Sequence, residues 1–239
     1  MNITLTGFMG TGKTAVGRKL AKRLGWKFLD IDELIESSAK MSIREIFAEH
    51  GEPVFRRLEK RMILRVTKRK NQVISTGGGA FTFAENRRIL RAVGPVICLT
   101  ASPKDILARV GRNLSRRPLL ASAPSPLNKI KELMDARAAS YAKADMTIDT
   151  SGLSVYEVLG RIWQVVGPLM SKSWQYLLDH NPKLCQKYAG KYIAVLDDKI
   201  VGCGDTHLSA YQSIPKKCPA SCEVAVYYIP LPEESSLVL

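Results

Sequence analysis

Asn2-Ile3-Thr4-Leu5-Thr6-Gly7-Phe8-Met9-Gly10-Thr11-Gly12-Lys13-Thr14 joins a short apolar strand to the first turn of a helix, and its second half fits G-x-x-x-x-G-K-[ST]. The glycines let the backbone turn tightly, so that successive N–H groups point into one concavity and hold phosphate oxygens. The helix that follows, residues 14–24, adds the positive end of its dipole. On this pattern residues Gly10, Thr11, Gly12, Lys13, Thr14 and Ala15 form a nucleotide-phosphate cradle. Lys13 supplies a cation to the β- and γ-phosphates, and the Thr14 hydroxyl a ligand for Mg²⁺. The segment binds a nucleoside triphosphate.

Outward from that loop, the first 170 residues alternate strand-like and helix-like segments, as a doubly wound parallel sheet requires. Short apolar runs predict strands at 2–6, 27–30, 72–75, 95–100 and 146–149. Helical patterns cover 13–24, 32–39, 43–50, 53–69, 84–92, 103–110, 127–143 and 154–170. Residues 111–126, with three prolines and three arginines, interrupt this regularity and read as a polar lid. The pattern breaks again around 168–173, which predicts two domains, 1–170 and 171–239.

The chain has 239 residues, of which 46% are hydrophobic and 24% charged, the balance of an ordinary globular protein. No run reaches the length of a membrane span, and no basic-then-apolar leader precedes the first strand. The expectation is a cytoplasmic protein with no membrane partner. The net charge is +14, yet residues 172–239 hold seven lysines, no arginine and seven acidic residues. The whole excess therefore lies in 1–171, where a cleft for two anionic substrates accounts for part of it. The remainder (Arg18, Lys19, Lys22, Arg23 and Lys68-Arg69-Lys70) reads as solvated helix faces, and no specific nucleic-acid partner is expected.

Four further pieces narrow the chemistry. Asp30-Ile31-Asp32 follows the second strand. Its two carboxylates lie on opposite faces if the strand continues and diverge if a helix begins, so that Asp30 can serve Mg²⁺ and Asp32 an acceptor hydroxyl. A helix cap followed by a first-turn acid is the plainer reading of either residue alone. Phe55-Arg56-Arg57-Leu58-Glu59 lies on a helix. Gly77-Gly78-Gly79 follows the third strand, where open α/β sheets bring backbone N–H groups close to a ligand. Arg137 and Tyr141 sit on the helix before the fifth strand.

In this order and spacing the chain resembles shikimate kinase over residues 1–170. The resemblance is carried by residues 7–14, Asp30-x-Asp32, Phe55-Arg56-Arg57-x-Glu59, Gly77-Gly78-Gly79, Arg117-Pro118-Leu119-Leu120 and Leu133-Met134-x-x-Arg137-x-x-x-Tyr141. It implies a P-loop fold of the nucleoside-monophosphate-kinase type, three layers around a five-stranded parallel sheet. It also implies transfer of the ATP γ-phosphoryl group to the 3-hydroxyl of shikimate, with Mg²⁺. Under it, Lys13, Asp32 and Arg117 are catalytic, and Arg109 and Arg117 join the loop in binding ATP. Asp32, Arg56, Gly77, Gly78, Gly79 and Arg137 bind shikimate, while Thr14 and Asp30 hold the metal. Arg56 and Arg137 suit a carboxylate, because a guanidinium pairs with one bidentately. Glu59, one turn beyond Arg56, holds an arginine in place. The lid carries Arg116 beside Arg117, and Arg117 is favoured because it precedes Pro118. Another small-molecule kinase of the same fold, or a catalytically dead P-loop module, are the competing readings.

Residues 171–239 read as a small accessory α+β domain. Helical stretches at 174–181 and 182–188 precede a hairpin at 191–196 and 199–203, a weak helix near 205–214 and a strand at 224–229. Its expected core is Tyr192, Val195, Ile200, Val224, Val226 and Tyr228, with a strand edge left for a protein partner or self-association. The pattern Lys187-Tyr-x-Gly-Lys-Tyr-Ile-Ala-Val-x-Asp resembles a small uncharacterised module of prokaryotic proteins. Cys185, Cys203, Cys218 and Cys222 match no zinc-knuckle spacing and read as reduced thiols.

Overall fold

Apolar runs of four or five residues are too short to span a helical core and instead pair as strands. In the computed structural model, which describes residues 1–111, 120, 123–169, 176–177, 180–215, 224–229 and 231, five of them build one sheet. These are β1 (Ile3–Gly7), β2 (Lys27–Asp30), β3 (Gln72–Ser75), β4 (Val96–Thr100) and β5 (Met146–Asp149). The order is β2-β3-β1-β4-β5 and every pairing is parallel. The central strands β1 and β3 are buried at every residue, as crossover helices on both faces demand. The expected five-stranded α/β fold is therefore present.

The crossovers are α1 (Lys13–Leu24), α2 (Ile31–Ala39), α3 (Ile43–Val66), α4 (Ala84–Arg91), α5 (Pro103–Val110) and α6 (Pro126–Tyr141), and α7 (Val155–Val166) follows β5. Sequence periodicity splits α3 into 43–50 and 53–69. The structure shows one run broken at Gly51, whose φ of 76° and ψ of 171° leave helical space just before Pro53. Ser42 starts α3 with a reciprocal capping box to Glu45. Its far end is closed from outside the helix: the buried Gln72 amide donates to the carbonyls of Val66 and Arg69, both at 2.8 Å. Asn2 Nδ2 adds a 2.7 Å bond to Arg69 O. The last residue of α3 and the turn after it are thus bonded to Gln72 of β3 and to Asn2, just before β1.

The chain divides into two compact units, Met1–Ile162 and Trp163–Leu239. The second unit holds a three-stranded antiparallel sheet of β6 (Tyr192–Leu196), β7 (Lys199–Gly204) and β8 (Ala225–Tyr228), in the order β7-β6-β8. Helix α8 (Asn181–Tyr188) lies on one face, with Leu184, Ile193, Val195 and Ile229 forming the core. Helix α9 (His207–Gln212) lies on the other, where Gly202 and Gly204 leave no room for a methyl group against Ala210 and Ser209.

The expected core of this unit is corrected by that arrangement. Val195 and Ile200 face α8, but Tyr192 pairs with Tyr228 and meets His207 on the opposite face. Helices on both faces leave no single apolar side for a period of two to mark. Half of the segment at 174–181 falls outside the described residues, and of the rest Tyr176 and Leu177 are helical and Asn181 opens α8. Cys98 is buried in β4 as expected, while Cys218 and Cys222 lie outside the described residues. Replacing Gln72 by Ala should lower unfolding free energy by about 1 kcal/mol, because two side-chain hydrogen bonds of a buried amide are lost while Arg69 O keeps Asn2 Nδ2 and Val66 O keeps Arg69 N. Urea denaturation of the full chain measures this.

Candidate active site

All five strand carboxyl ends open toward one rim, and the loops there carry the candidate residues. The loop between β1 and α1 turns through Gly10 and Gly12, at φ 76° and 92°. Thr11 Oγ1 donates to Phe8 O at 2.8 Å inside it. The Lys13 ammonium, 9% exposed, lies along this loop and donates to the carbonyls of Gly7 and Phe8 at 2.9 and 2.8 Å. Ala15, in the first turn of α1, is exposed at the mouth. The helix dipole, the loop N–H groups and Lys13 converge on one small region.

Asp30 closes the next strand, caps the helix that follows and meets Thr14. Its Oδ1 accepts from Asp32 N at 3.1 Å, capping α2, and its Oδ2 accepts from Thr14 Oγ1 at 3.1 Å. A helix begins at Ile31, so the strand does not continue and Asp32 diverges from Asp30 onto the first turn of α2.

The turn after β3 is where three distant helices meet. A methyl group added at Gly77 would lie 2.6 Å from Asp32 Oδ1. One at Gly78 would lie 3.2 Å from Arg137 Nη1, and one at Gly79 would lie 2.7 Å from Arg56 Nη2. Three consecutive glycines thus hold an acid of α2, an arginine of α6 and an arginine of α3 against bare backbone. The same Gly78 position is 3.5 Å from Gly7 O and 3.6 Å from Met9 N, so the glycine turn touches the phosphate-type loop. The Tyr141 hydroxyl donates to Gly78 O and fixes the turn to α6.

Charge balance in this cluster is set by burial. Glu59 is fully buried and accepts from Arg56 Nη1 at 3.0 Å, while its Oε1 has no hydrogen-bond partner among the described residues. Burial pushes its carboxyl up to about 7, against the pull of Arg56 and with a further push from Asp32. Burial likewise raises Tyr141 to about 12, opposed by Arg137.

Arg109 is neither a bare surface residue nor directed away from the loop. It donates to Thr150 Oγ1 at 2.9 Å, Thr150 O at 2.7 Å and Gly10 O at 3.3 Å. Arg117 falls outside the described residues. Two participants escape a reading of the sequence. Glu52 pairs with Arg56 at 2.8 Å, and Phe83 lies 5.1 Å from its guanidinium. The i,i+4 spacing of Glu52 to Arg56 is a signal that could have found the first; Phe83 is brought in only by the tertiary fold.

The family model for shikimate kinase matches residues 9–167. The chain belongs to the shikimate kinase family. It is 47% identical over 161 residues to the shikimate kinase of Thermodesulfovibrio yellowstonii, covering 67% of this chain and 92% of the relative. It is also 47% identical over 166 residues to that of Symbiobacterium thermophilum, covering 69% and 95%. The solved shikimate kinase of Acinetobacter baumannii in complex with shikimate superposes with a TM-score of 0.66 at 39% identity, over 69% of this chain and 92% of that one. The Aquifex aeolicus shikimate kinase gives 0.62 at 32%, over 70% and 96%. Residues 183–233 match a family of unknown function, DUF5678.

Glu59 carries a pH dependence within this shikimate kinase fold. Its carboxyl is raised in the folded state, so its contribution to stability is full below the ordinary carboxylate range and is lost as pH rises through about 7. The melting temperature of the wild type should therefore fall between about pH 4.5 and 7.5 relative to Glu59→Gln, which removes the titration. Parallel thermal scans of the two proteins across that range measure the difference.

Proposed function

We propose that residues 1–170 transfer the γ-phosphoryl group of ATP to the 3-hydroxyl of shikimate, giving shikimate 3-phosphate and ADP, and that residues 171–239 form an accessory domain. The observation that carries the site assignment is the glycine turn at 77–79. It sets Asp32, Arg56 and Arg137 in one cluster and abuts the Gly7 and Met9 backbone of the phosphate-type loop. An anionic triol and a triphosphate can then share one rim of the sheet.

Each residue's role follows from its chemistry. Residues 10–15 and Lys13 hold the phosphates through backbone N–H groups and one cation. Arg56 and Arg137 pair with the shikimate carboxylate. Asp32 accepts the hydroxyl proton as the acceptor oxygen bonds to the γ-phosphorus and the bond to the bridging oxygen of ADP breaks. Arg109 steadies the loop from the nucleotide side, and Arg117 supplies a further cation to the transferring group. Mg²⁺ fits the hard oxygen pair of Thr14 Oγ1 and Asp30 Oδ2, which lie 3.1 Å apart at the loop. Bound there, it would neutralise phosphate charge. A loose, charge-spread transition state asks mainly for positioning and cations, which this rim supplies.

An ATP-consuming enzyme whose Cys98, Cys185 and Cys203 are thiols rather than disulfides suits the cytoplasm. The accessory domain offers β8, which among the described residues pairs only with β6, as an edge for a protein partner or a second copy.

A coupled ADP-release assay with shikimate against a panel of other hydroxyl acceptors tests this reading. Shikimate-dependent turnover is expected from the full chain and, within a few-fold, from a chain ending at residue 170. Lys13→Met and Asp32→Asn should each lower kcat by about 100-fold or more. Arg137→Ala should chiefly raise the KM for shikimate. Near-normal kcat in a folded Asp32→Asn protein would remove that residue from proton acceptance.

A further inference from the structure

Arg56 is held from every side. Its Nε and Nη2 both donate to Glu52 Oε1, at 3.0 and 2.8 Å, and its Nη1 donates to Glu59 Oε2 at 3.0 Å. The rings of Phe55 and Phe83 each lie 5.1 Å from the guanidinium carbon, and Gly79 closes the remaining approach. An arginine placed to receive a substrate carboxylate thus already carries two carboxylates of its own chain.

The two are not equivalent. The Glu59 side chain is 1% exposed, whereas that of Glu52 is 59% exposed. Glu59 sits in the regular part of α3, but Glu52 directly follows Gly51, where the helix breaks, and precedes Pro53. Nε and Nη2 form the side-on edge of the guanidinium, the edge that offers two parallel N–H groups to one carboxylate. One oxygen of Glu52 occupies it.

We propose that Glu52 is a displaceable internal carboxylate that competes with the substrate carboxylate for the side-on edge of Arg56. It thereby sets the affinity for the anionic acceptor without touching phosphoryl transfer. This rests on the reading of Arg56 as a carboxylate contact. Glu59, the two rings and Gly79 keep the guanidinium oriented when Glu52 leaves, so the loss of one strut is outweighed by the freed edge. Glu52 yields readily because an exposed pair is weak, and Glu59 does not because it has no water to turn to. Glu52 is a positioning and affinity-setting residue, since it acts through Arg56.

Steady-state kinetics on the full-length wild type, Glu52→Ala and Glu52→Gln test this, with the methyl ester of shikimate as an inhibitor that lacks the carboxylate anion. Both variants should lower the KM for shikimate by about two- to fivefold with kcat unchanged, the range expected for releasing a partly exposed ion pair. The inhibition constant of the ester should not move. A raised or unchanged KM would overturn the proposal, because Glu52 would then be a strut or a bystander. An equal gain for the ester would overturn it too, since the effect would not depend on carboxylate competition. A wild type without shikimate-dependent ADP release would instead overturn the underlying reading, and the proposal with it.

Discussion

The absence of side chains at three consecutive backbone positions governs this site. Residues 77–79 leave the carboxyl end of β3 and press directly on Asp32, Arg137 and Arg56, which come from α2, α6 and α3. No methyl group intervenes, so one side of each of the three side chains rests on backbone of the glycine turn. Positioning of this kind is worth more to phosphoryl transfer than any single contact. The same turn also touches the loop after β1, which couples the geometry of the acceptor cluster to that of the phosphate cradle.

Burial decides how the charges of the cluster behave. Arg56 lies between a buried carboxyl and an exposed one, and burial pushes the Glu59 carboxyl toward neutrality. Around Lys13 and Arg137, the loop carbonyls of Gly7 and Phe8 and the ring of Phe8 supply contacts that carry no formal charge. Asp30 joins the two halves of the site, since one of its oxygens caps α2 and the other meets Thr14 of α1. A local capping rule and a candidate metal-ligand pair thus share one side chain.

Much of this is legible from residue order. Strands β2, β3 and β5 begin and end where the sequence places them, the central β3 buried at every residue and the edge strands β2 and β5 only in part. The break in α3 is readable at Gly51 and Pro53, both of which oppose helical backbone. What escapes depends on tertiary context. Glu52 stands at i,i+4 spacing from Arg56 and is readable as its partner, whereas Phe83 is a stray apolar residue in the sequence that only the fold brings to Arg56. In the second unit, the expected core groups Tyr192 and Tyr228 with Val195, although Tyr192 and Val195 are three residues apart on β6 and fall on opposite faces; a single-core reading is wrong for a sheet with a helix on each face.

Everything at this rim depends on the bare backbone beneath Arg56. Calorimetric titration of shikimate into folded Gly79→Ala protein probes it directly, since the added methyl would lie 2.7 Å from Arg56 Nη2 and displace the guanidinium. Shikimate affinity should fall by about tenfold or more, a loss of about 1.4 kcal/mol, while ATP affinity is kept. Unchanged shikimate affinity in that variant would contradict the account.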